Sequence, residues 1–591
     1  MGACQENASL RALRWCVGRA TICGNMNLLR SLRQRRSLLA VFVVFLFFYA
    51  VAMLSGLGRF GLVGPDEPRY SAIAREMFLS GDYVSTRLAG LLWFEKPVLF
   101  YWLAAVCYAV FGVGEFAARL PSATVCLLSV VVVFGTLRRA GFERWALISA
   151  VVLATSAMWM SFGYAATTDM VLASTLCAAM MAGFLASIAE GKTRLIFLTL
   201  CAVATALAML AKGLVGVFFV IAILGIYSVV SRRFVLRSWK DVTLAAVAFI
   251  LVASLWYVPV LLRHGNVFFD EFFVNQHFKR FLTDKYRHSQ PAYFYIFIAF
   301  VGAIPWSLFL WPAAMRLRSL RPRQNERDAL ITLAWIWFLV PLAFFSASTS
   351  KLPSYILPVF PALAILLGAE IERLWHLGKS EKTTTLRNIA LGNALLFCVL
   401  GIAGVVLRNK PFFAGFSGIA TTLFAVLSVG GAAAIVALVR GHLRCAIFFP
   451  AAAVLSIMTA AIFVLPALSH RFSLREYSNS VTMQLQPGEK TAMYRIIKQY
   501  AHVFYSDGRF VYYQNGVPVR GLSTGDDVSL DKRQDLMRAL RFERGNGGDS
   551  LVVFTDKIWR KELESDADFS AQLIAQHRKD IAMRIRLKPR D

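Results

Sequence analysis

PVLFYWLAAVCYAVFGV, residues Pro97 to Val113, is an apolar run with Glu115 and Arg119 just beyond it. A helix needs about 20 apolar residues to cross a bilayer core, so this run is short for a crossing. Whether it crosses sets the side on which everything after it lies. Thirteen other apolar runs are candidates, at roughly 37–57, 120–137, 145–163, 171–189, 195–211, 213–230, 242–262, 292–315, 329–346, 353–371, 388–407, 414–439 and 445–467. The basic connections decide the parity, because Lys and Arg collect in cytoplasmic loops. With a cytoplasmic N-terminus and 97–113 lying in the outer interface, every short basic connection falls inside. These connections hold Arg138, Arg139 and Arg144; Lys192 and Arg194; Arg232, Arg233, Arg237 and Lys240; Arg316, Arg318, Arg321, Arg323 and Arg327; Arg373, Lys379, Lys382 and Arg387; and Arg440 and Arg444. Letting 97–113 cross would turn all of these connections outward. Parity therefore gives thirteen crossings and one membrane-skimming helix.

Composition agrees. The chain has 591 residues, 57% hydrophobic and 17% charged, with a net charge of +28. Soluble domains carry about 25% charged residues, so a water-soluble core is excluded as the main architecture. The inside connections absorb twenty positive charges and a basic leader, residues 1–36, another seven. Nucleic acid is not needed to explain the excess. The leader and first run read as a signal anchor rather than a removed signal peptide, with Met1 and Met26 both open as starts. The nine cysteines include no C-x-x-C pair and none follows Cys445, which excludes zinc-ribbon and thioredoxin-type sites. Glu190-Gly191-Lys192-Thr193 ends like a phosphate loop, but Ala186 stands where its leading Gly belongs.

The expected fold is an α-helical polytopic membrane protein: leader 1–36, a membrane domain 37–467 with an outer loop at 58–119, and a small C-terminal α/β domain, 468–591. In the last, 510–513 and 551–554 read as strands, and 532–542 and 568–583 as helices.

Ionisable groups next to a bilayer are costly, so clusters of them point to function. Those that stand out gather at the outer edge. Gly64-Pro65-Asp66-Glu67-Pro68-Arg69-Tyr70 follows the first span, and Trp93-Phe94-Glu95-Lys96-Pro97 leads into the skimming helix. Asp169 opens a helix, where an N-cap is the plainer reading. Asn275-Gln276-His277-Phe278-Lys279-Arg280 is basic and aromatic, as an interfacial helix also is. Ser350-Lys351-Leu352-Pro353-Ser354-Tyr355 is a polar hinge between apolar helices. A transporter places such groups near mid-membrane; an enzyme acting on a lipid-borne substrate places them here.

Together with Asp82-Tyr83-Val84 and Gly112 to Ala123, these motifs resemble the lipid A aminoarabinose transferase (ArnT) family of GT-C glycosyltransferases, related to protein O-mannosyltransferases. The resemblance covers about 37–470 and departs at Ser85-Thr86-Arg87, where a Pro is usual. It implies a thirteen-span bacterial inner-membrane enzyme whose active site and C-terminal domain face the periplasm. It also implies transfer of 4-amino-4-deoxy-L-arabinose from undecaprenyl phosphate to a lipid A phosphate. Asp66, Lys96 and Asp169 match catalytic positions. Glu67, Arg69, Tyr70, Glu95, Lys212, Arg280, Lys351 and Tyr355 are the expected substrate-binding residues, and Glu95 with His277 would share a zinc ion. Transfer of another sugar to protein or another glycan, and lipid or sugar transport, are the alternatives.

Overall fold

The computed structural model describes residues 35–279, 290–319, 324–376, 381–410, 417–496, 499–519 and 530–589. Most of the leader, Arg280 and the side chain of His277 lie outside the described residues. Ten described helices are long and apolar enough to cross a membrane, and two bent pairs raise this to twelve. The pairs, Glu143–Thr155 with Ala157–Gly163 and Phe294–Gly302 with Ser307–Met315, turn by 63° and 120°. They occupy the runs expected at 145–163 and 292–315. Leu443–Phe472, a 30-residue helix, stands where the last crossing is expected.

The decisive run folds as the helix Leu99–Phe111. At 1.5 Å per residue its 13 residues extend about 20 Å, against a hydrocarbon core of about 30 Å, so it is too short to cross upright. Its Leu99, Tyr101, Ala104 and Tyr108 are buried while Val106, Val110 and Phe111 are exposed, the one-sided pattern of a helix lying on an apolar medium.

Thr168–Ile188 and Pro353–Trp375 are the most enclosed spans. Small residues permit the close approach that membrane helices rely on. A Cβ on Gly216 would stand 2.6 Å from the Ala208 carbonyl oxygen, so only glycine lets the helices Gly191–Lys212 and Leu214–Ser231 meet there. Trp145, Trp159, Trp256, Trp306 and Trp337 are fully buried. Three of their indoles find partners, Trp145 in the Ile365 carbonyl at 2.8 Å, Trp256 in the Val84 carbonyl at 2.9 Å and Trp306 in Thr155 Oγ1 at 2.9 Å.

The C-terminal region carries a four-stranded sheet in the order Lys490–Met493, Leu551–Asp556, Asp580–Leu587, Phe569–His577, with the first pair parallel and the others antiparallel. The expected helix at 532–542 is Arg533–Gly545, and 551–554 lies inside a strand. The expected helix at 568–583 is instead a β-hairpin. Its Ala, Gln and Leu residues favour helix, but Arg578 takes a left-handed φ of 56° and reverses the chain. Pairing with the Leu551–Asp556 strand then outweighs local propensity. At 510–513, Phe510 makes only an isolated bridge to Thr491, and Tyr513–Gln514 pairs with Val517–Pro518.

One imidazole in this region is wholly buried. His502 stacks on Phe554 with centroids 3.6 Å apart, Nδ1 meets Ser478 Oγ at 2.9 Å and Nε2 meets Gln499 Oε1 at 3.0 Å. Burial pushes its pKa down from 6.5 to about 3. Below pH 6.5 the unfolded chain binds a proton that the folded one refuses, so this group's contribution to stability falls as pH drops toward 3. Melting temperature followed against pH is expected to decline more shallowly in His502→Asn than in the parent.

Candidate active site

The segment that follows the first span builds the site. Gly64, at a φ of +67°, turns the chain before Pro65, and the helix Asp66–Ser80 starts with its two acids in the first turn. Carboxylates are favoured there by the helix dipole. Arg69, one turn on, points back to its own N-terminus. Its Nη2 meets Asp66 Oδ1 at 2.6 Å and its Nη1 meets Glu95 Oε2 at 2.9 Å, while Lys96 Nζ lies 3.3 Å from Glu95 Oε1. Asp66 is half exposed, whereas Arg69, Glu95 and Lys96 each expose only 12% of their side chains. Four charges of alternating sign thus form a chain, Asp66–Arg69–Glu95–Lys96. Burial works against the charge on Arg69, but Glu95, Tyr70 and Asp66 outweigh it and hold its pKa well above the ordinary range.

A second group lies at helix ends. Asp169 is in the first turn of Thr168–Ile188 and Lys212 in the last turn of Gly191–Lys212, each where the helix dipole favours its sign. They form an ion pair, so Asp169 is not an N-cap; Thr167 occupies that position. The Lys212 ammonium stands 4.9 Å over the Tyr355 ring, a cation–π contact. The two groups are electrostatically linked through Tyr70. Burial holds the Tyr70 phenol far above its ordinary range, Arg69 opposes this, and Asp66, Glu95 and Asp169 reinforce it. Asp66, Arg69, Tyr70, Glu95, Lys96, Asp169, Lys212 and Tyr355, all expected from sequence, are therefore brought into two neighbouring clusters.

Two expected residues do something else. Glu67 is 6% exposed and belongs to a structural pair. Its Oε1 accepts from Arg119 Nε at 2.9 Å and the Ala166 amide at 2.8 Å, and its Oε2 from Arg119 Nη2 and the Val63 amide, both at 2.8 Å. With its lone pairs taken, it offers nothing to a substrate. Lys351 is buried, donates to the Ser348 carbonyl at 2.5 Å, and touches neither cluster among the described residues. Its ammonium closes the hinge before Pro353.

Arg280 and the His277 side chain lie outside the described residues, and no group of three His, Cys, Asp or Glu suited to a metal occurs among those described. Glu95 already holds two cations, so a zinc ion shared with His277 would have to compete with Arg69 and Lys96 for it.

Sequence reasoning missed Tyr500, from the C-terminal region. Arg69 stands 5.3 Å from its ring centroid on one side and 4.9 Å from that of Tyr70. No motif signals it, because the contact joins residues more than four hundred positions apart.

A family model for dolichyl-phosphate-mannose-protein mannosyltransferase matches residues 95–257. The chain is 32% identical over 412 residues to an undecaprenyl phosphate-α-4-amino-4-deoxy-L-arabinose arabinosyl transferase of Pseudomonas aeruginosa, covering 68% of this chain and 70% of the relative. It is 33% identical over 414 residues to that of Pseudomonas paraeruginosa, with the same coverage. Among solved structures, ArnT from Cupriavidus metallidurans bound to undecaprenyl phosphate superposes with a TM-score of 0.76 at 25% identity, covering 92% of this chain and 97% of the other. Its apo form gives 0.74. With the membrane architecture, the charge chain after the first span and these likenesses in agreement, the chain belongs to the undecaprenyl phosphate-α-4-amino-4-deoxy-L-arabinose arabinosyl transferase (ArnT) family.

Proposed function

We propose that this protein is a glycosyltransferase that moves 4-amino-4-deoxy-L-arabinose from undecaprenyl phosphate to a phosphate of lipid A, at the periplasmic face of the inner membrane. The observation that carries this reading is the charge chain Asp66–Arg69–Glu95–Lys96 beside the Asp169–Lys212 pair. Cations held by carboxylates at a membrane edge suit a lipid-borne phosphate.

The chemistry follows from the charges. An acceptor phosphate oxygen attacks the anomeric carbon of the sugar, the bond from that carbon to the carrier phosphate breaks, and the electron pair leaves with undecaprenyl phosphate. Lys96 and Arg69 stabilise the charge that gathers on the leaving phosphate. A phosphate acceptor is already nucleophilic, so no strong base is required. Asp66 holds Arg69 in place and faces the electron-poor sugar carbon. With a hydroxyl acceptor, Asp66 would take the proton, which is the chemistry of the alternative reading, transfer to protein or another glycan. Direct displacement inverts the anomeric centre. Zinc at Glu95 and His277 would add a further positive charge; metal analysis of purified protein and of His277→Ala tests for it, and no step above depends on it.

The lipid A mass profile of a deletion strain tests the reading, and loss of the aminoarabinose-bearing species is expected. An unchanged profile under conditions of expression overturns it. Asp66→Asn is expected to lower transfer by about 10²-fold or more without releasing carrier across the bilayer. Translocation of the carrier by Asp66→Asn in liposomes, with no glycosidic product, would favour transport.

A further inference from the structure

We propose that Tyr500 is a positioning residue of the transferase site: its ring roofs the Arg69 guanidinium and holds it for the donor phosphate, so that the C-terminal region completes the site. The inference rests on the function proposed above and extends it to a residue outside the membrane domain.

Arg69 is the hinge of the charge chain, since it touches both Asp66 and Glu95. A guanidinium with two carboxylates can tilt between them, and a bound donor phosphate needs it at one angle. The rings of Tyr70 and Tyr500 fix that angle. Tyr70 cannot do so alone, because it neighbours Arg69 in the chain and moves with it. Tyr500 comes from elsewhere and is itself locked, being 5% exposed and edge-on to Trp93 with centroids 6.1 Å apart.

The segment that carries Tyr500 is tied to the outer loop at several points. Arg75, on the Arg69 helix, donates to the Phe504 carbonyl at 3.0 Å and pairs with Asp507 at 2.7 Å. The Tyr505 hydroxyl accepts from the Leu62 amide at 2.9 Å and donates to Glu115 at 3.0 Å. The C-terminal region is thereby registered against the very helix that bears the reacting charges.

Two N–H groups in this corner, Arg69 Nε and Trp93 Nε1, are buried without an acceptor among the described residues. Buried donors are normally paired, so donors left over beside a cation are suited to oxygens of an anionic ligand. Tyr500 covers both residues. A polyprenyl-linked phosphate is the ligand chemistry that this corner fits.

The test is steady-state transfer by the full-length protein in detergent, with donor KM and kcat measured separately. Tyr500→Ala is expected to raise donor KM roughly tenfold, in line with a desolvated cation–π contact, and to leave kcat within about twofold. Tyr500→Phe, which keeps the ring and loses only the hydroxyl's interaction with Arg69, is expected to retain most of the parental donor affinity. Tyr500→Leu, which fills the space without the ring's negative face, is expected to behave like Tyr500→Ala while melting like the parent. An unchanged donor KM in both Tyr500→Ala and Tyr500→Leu overturns the inference and leaves the transferase reading intact. Equal loss in Tyr500→Phe and Tyr500→Ala overturns it as well, since the hydroxyl would then be what matters. A parent protein that does not use the donor overturns both this inference and the reading beneath it.

Discussion

Lys96→Ala is expected to lower kcat for transfer by about 10²- to 10³-fold, the loss typical when one preorganised charge facing a developing anion is removed, while the melting temperature stays near that of the parent. The reason is the economy of the cluster. Lys96 lies 3.3 Å from Glu95, whose other oxygen takes Arg69, so the carboxylate positions both cations. The fold therefore keeps an ion pair when Lys96 is lost, but the leaving phosphate loses a point charge. Lys96→Arg keeps the charge and changes its shape, and the two are not interchangeable at a positioned site. It is expected to recover only part of the rate. Single-turnover measurement of the chemical step checks both variants. A Lys96→Ala enzyme with parental kcat would remove Lys96 from the reaction.

Arg119→Ala is expected to fail at folding rather than at chemistry. Arg119 has no exposed surface, and all five of its N–H groups are used. They serve Glu67 twice and the carbonyls of Leu57, Phe60 and Gly61 at 2.8–2.9 Å. Its guanidinium also lies 3.8 Å from the Phe60 ring centroid. Removing it strands a buried carboxylate and three carbonyls. Breaking a buried pair from one side costs about 3–5 kcal/mol, a large part of a typical stability of about 5–15 kcal/mol. Arg119→Lys cannot rescue it, because one ammonium cannot serve acceptors spread over a planar fork. Glu67→Gln is expected to be milder, since an amide oxygen still accepts where the carboxylate did. Yield of monodisperse protein and thermal melting in detergent check the series. A folded, stable Arg119→Ala protein would contradict the structural role given to Glu67.

What was legible in the sequence follows physical lines. Crossings were readable because length and apolarity are local properties, and Leu99–Phe111 stood apart because its apolar run is short. Asp66, Arg69, Glu95, Lys96 and Asp169 stood out because charge beside a bilayer is expensive. Their pairing was not legible. Lys212 reaches Asp169 across 43 positions and Arg119 reaches Glu67 across 52, and nothing local says that Glu67 binds structure while its neighbour Asp66 faces the site. Tyr500 was invisible for the same reason. The hairpin Phe569–Leu587 was misread because helix-favouring residues were overruled by a strand laid down earlier in the chain.

The central claim is tested most directly by purified full-length protein, undecaprenyl-phosphate-linked 4-amino-4-deoxy-L-arabinose and lipid A in one reaction, read by mass spectrometry of both lipids. The account predicts aminoarabinose on a lipid A phosphate with matching release of undecaprenyl phosphate, and neither with Asp66→Asn. Donor left intact by the parent protein, or sugar found on a hydroxyl of the acceptor, would contradict it.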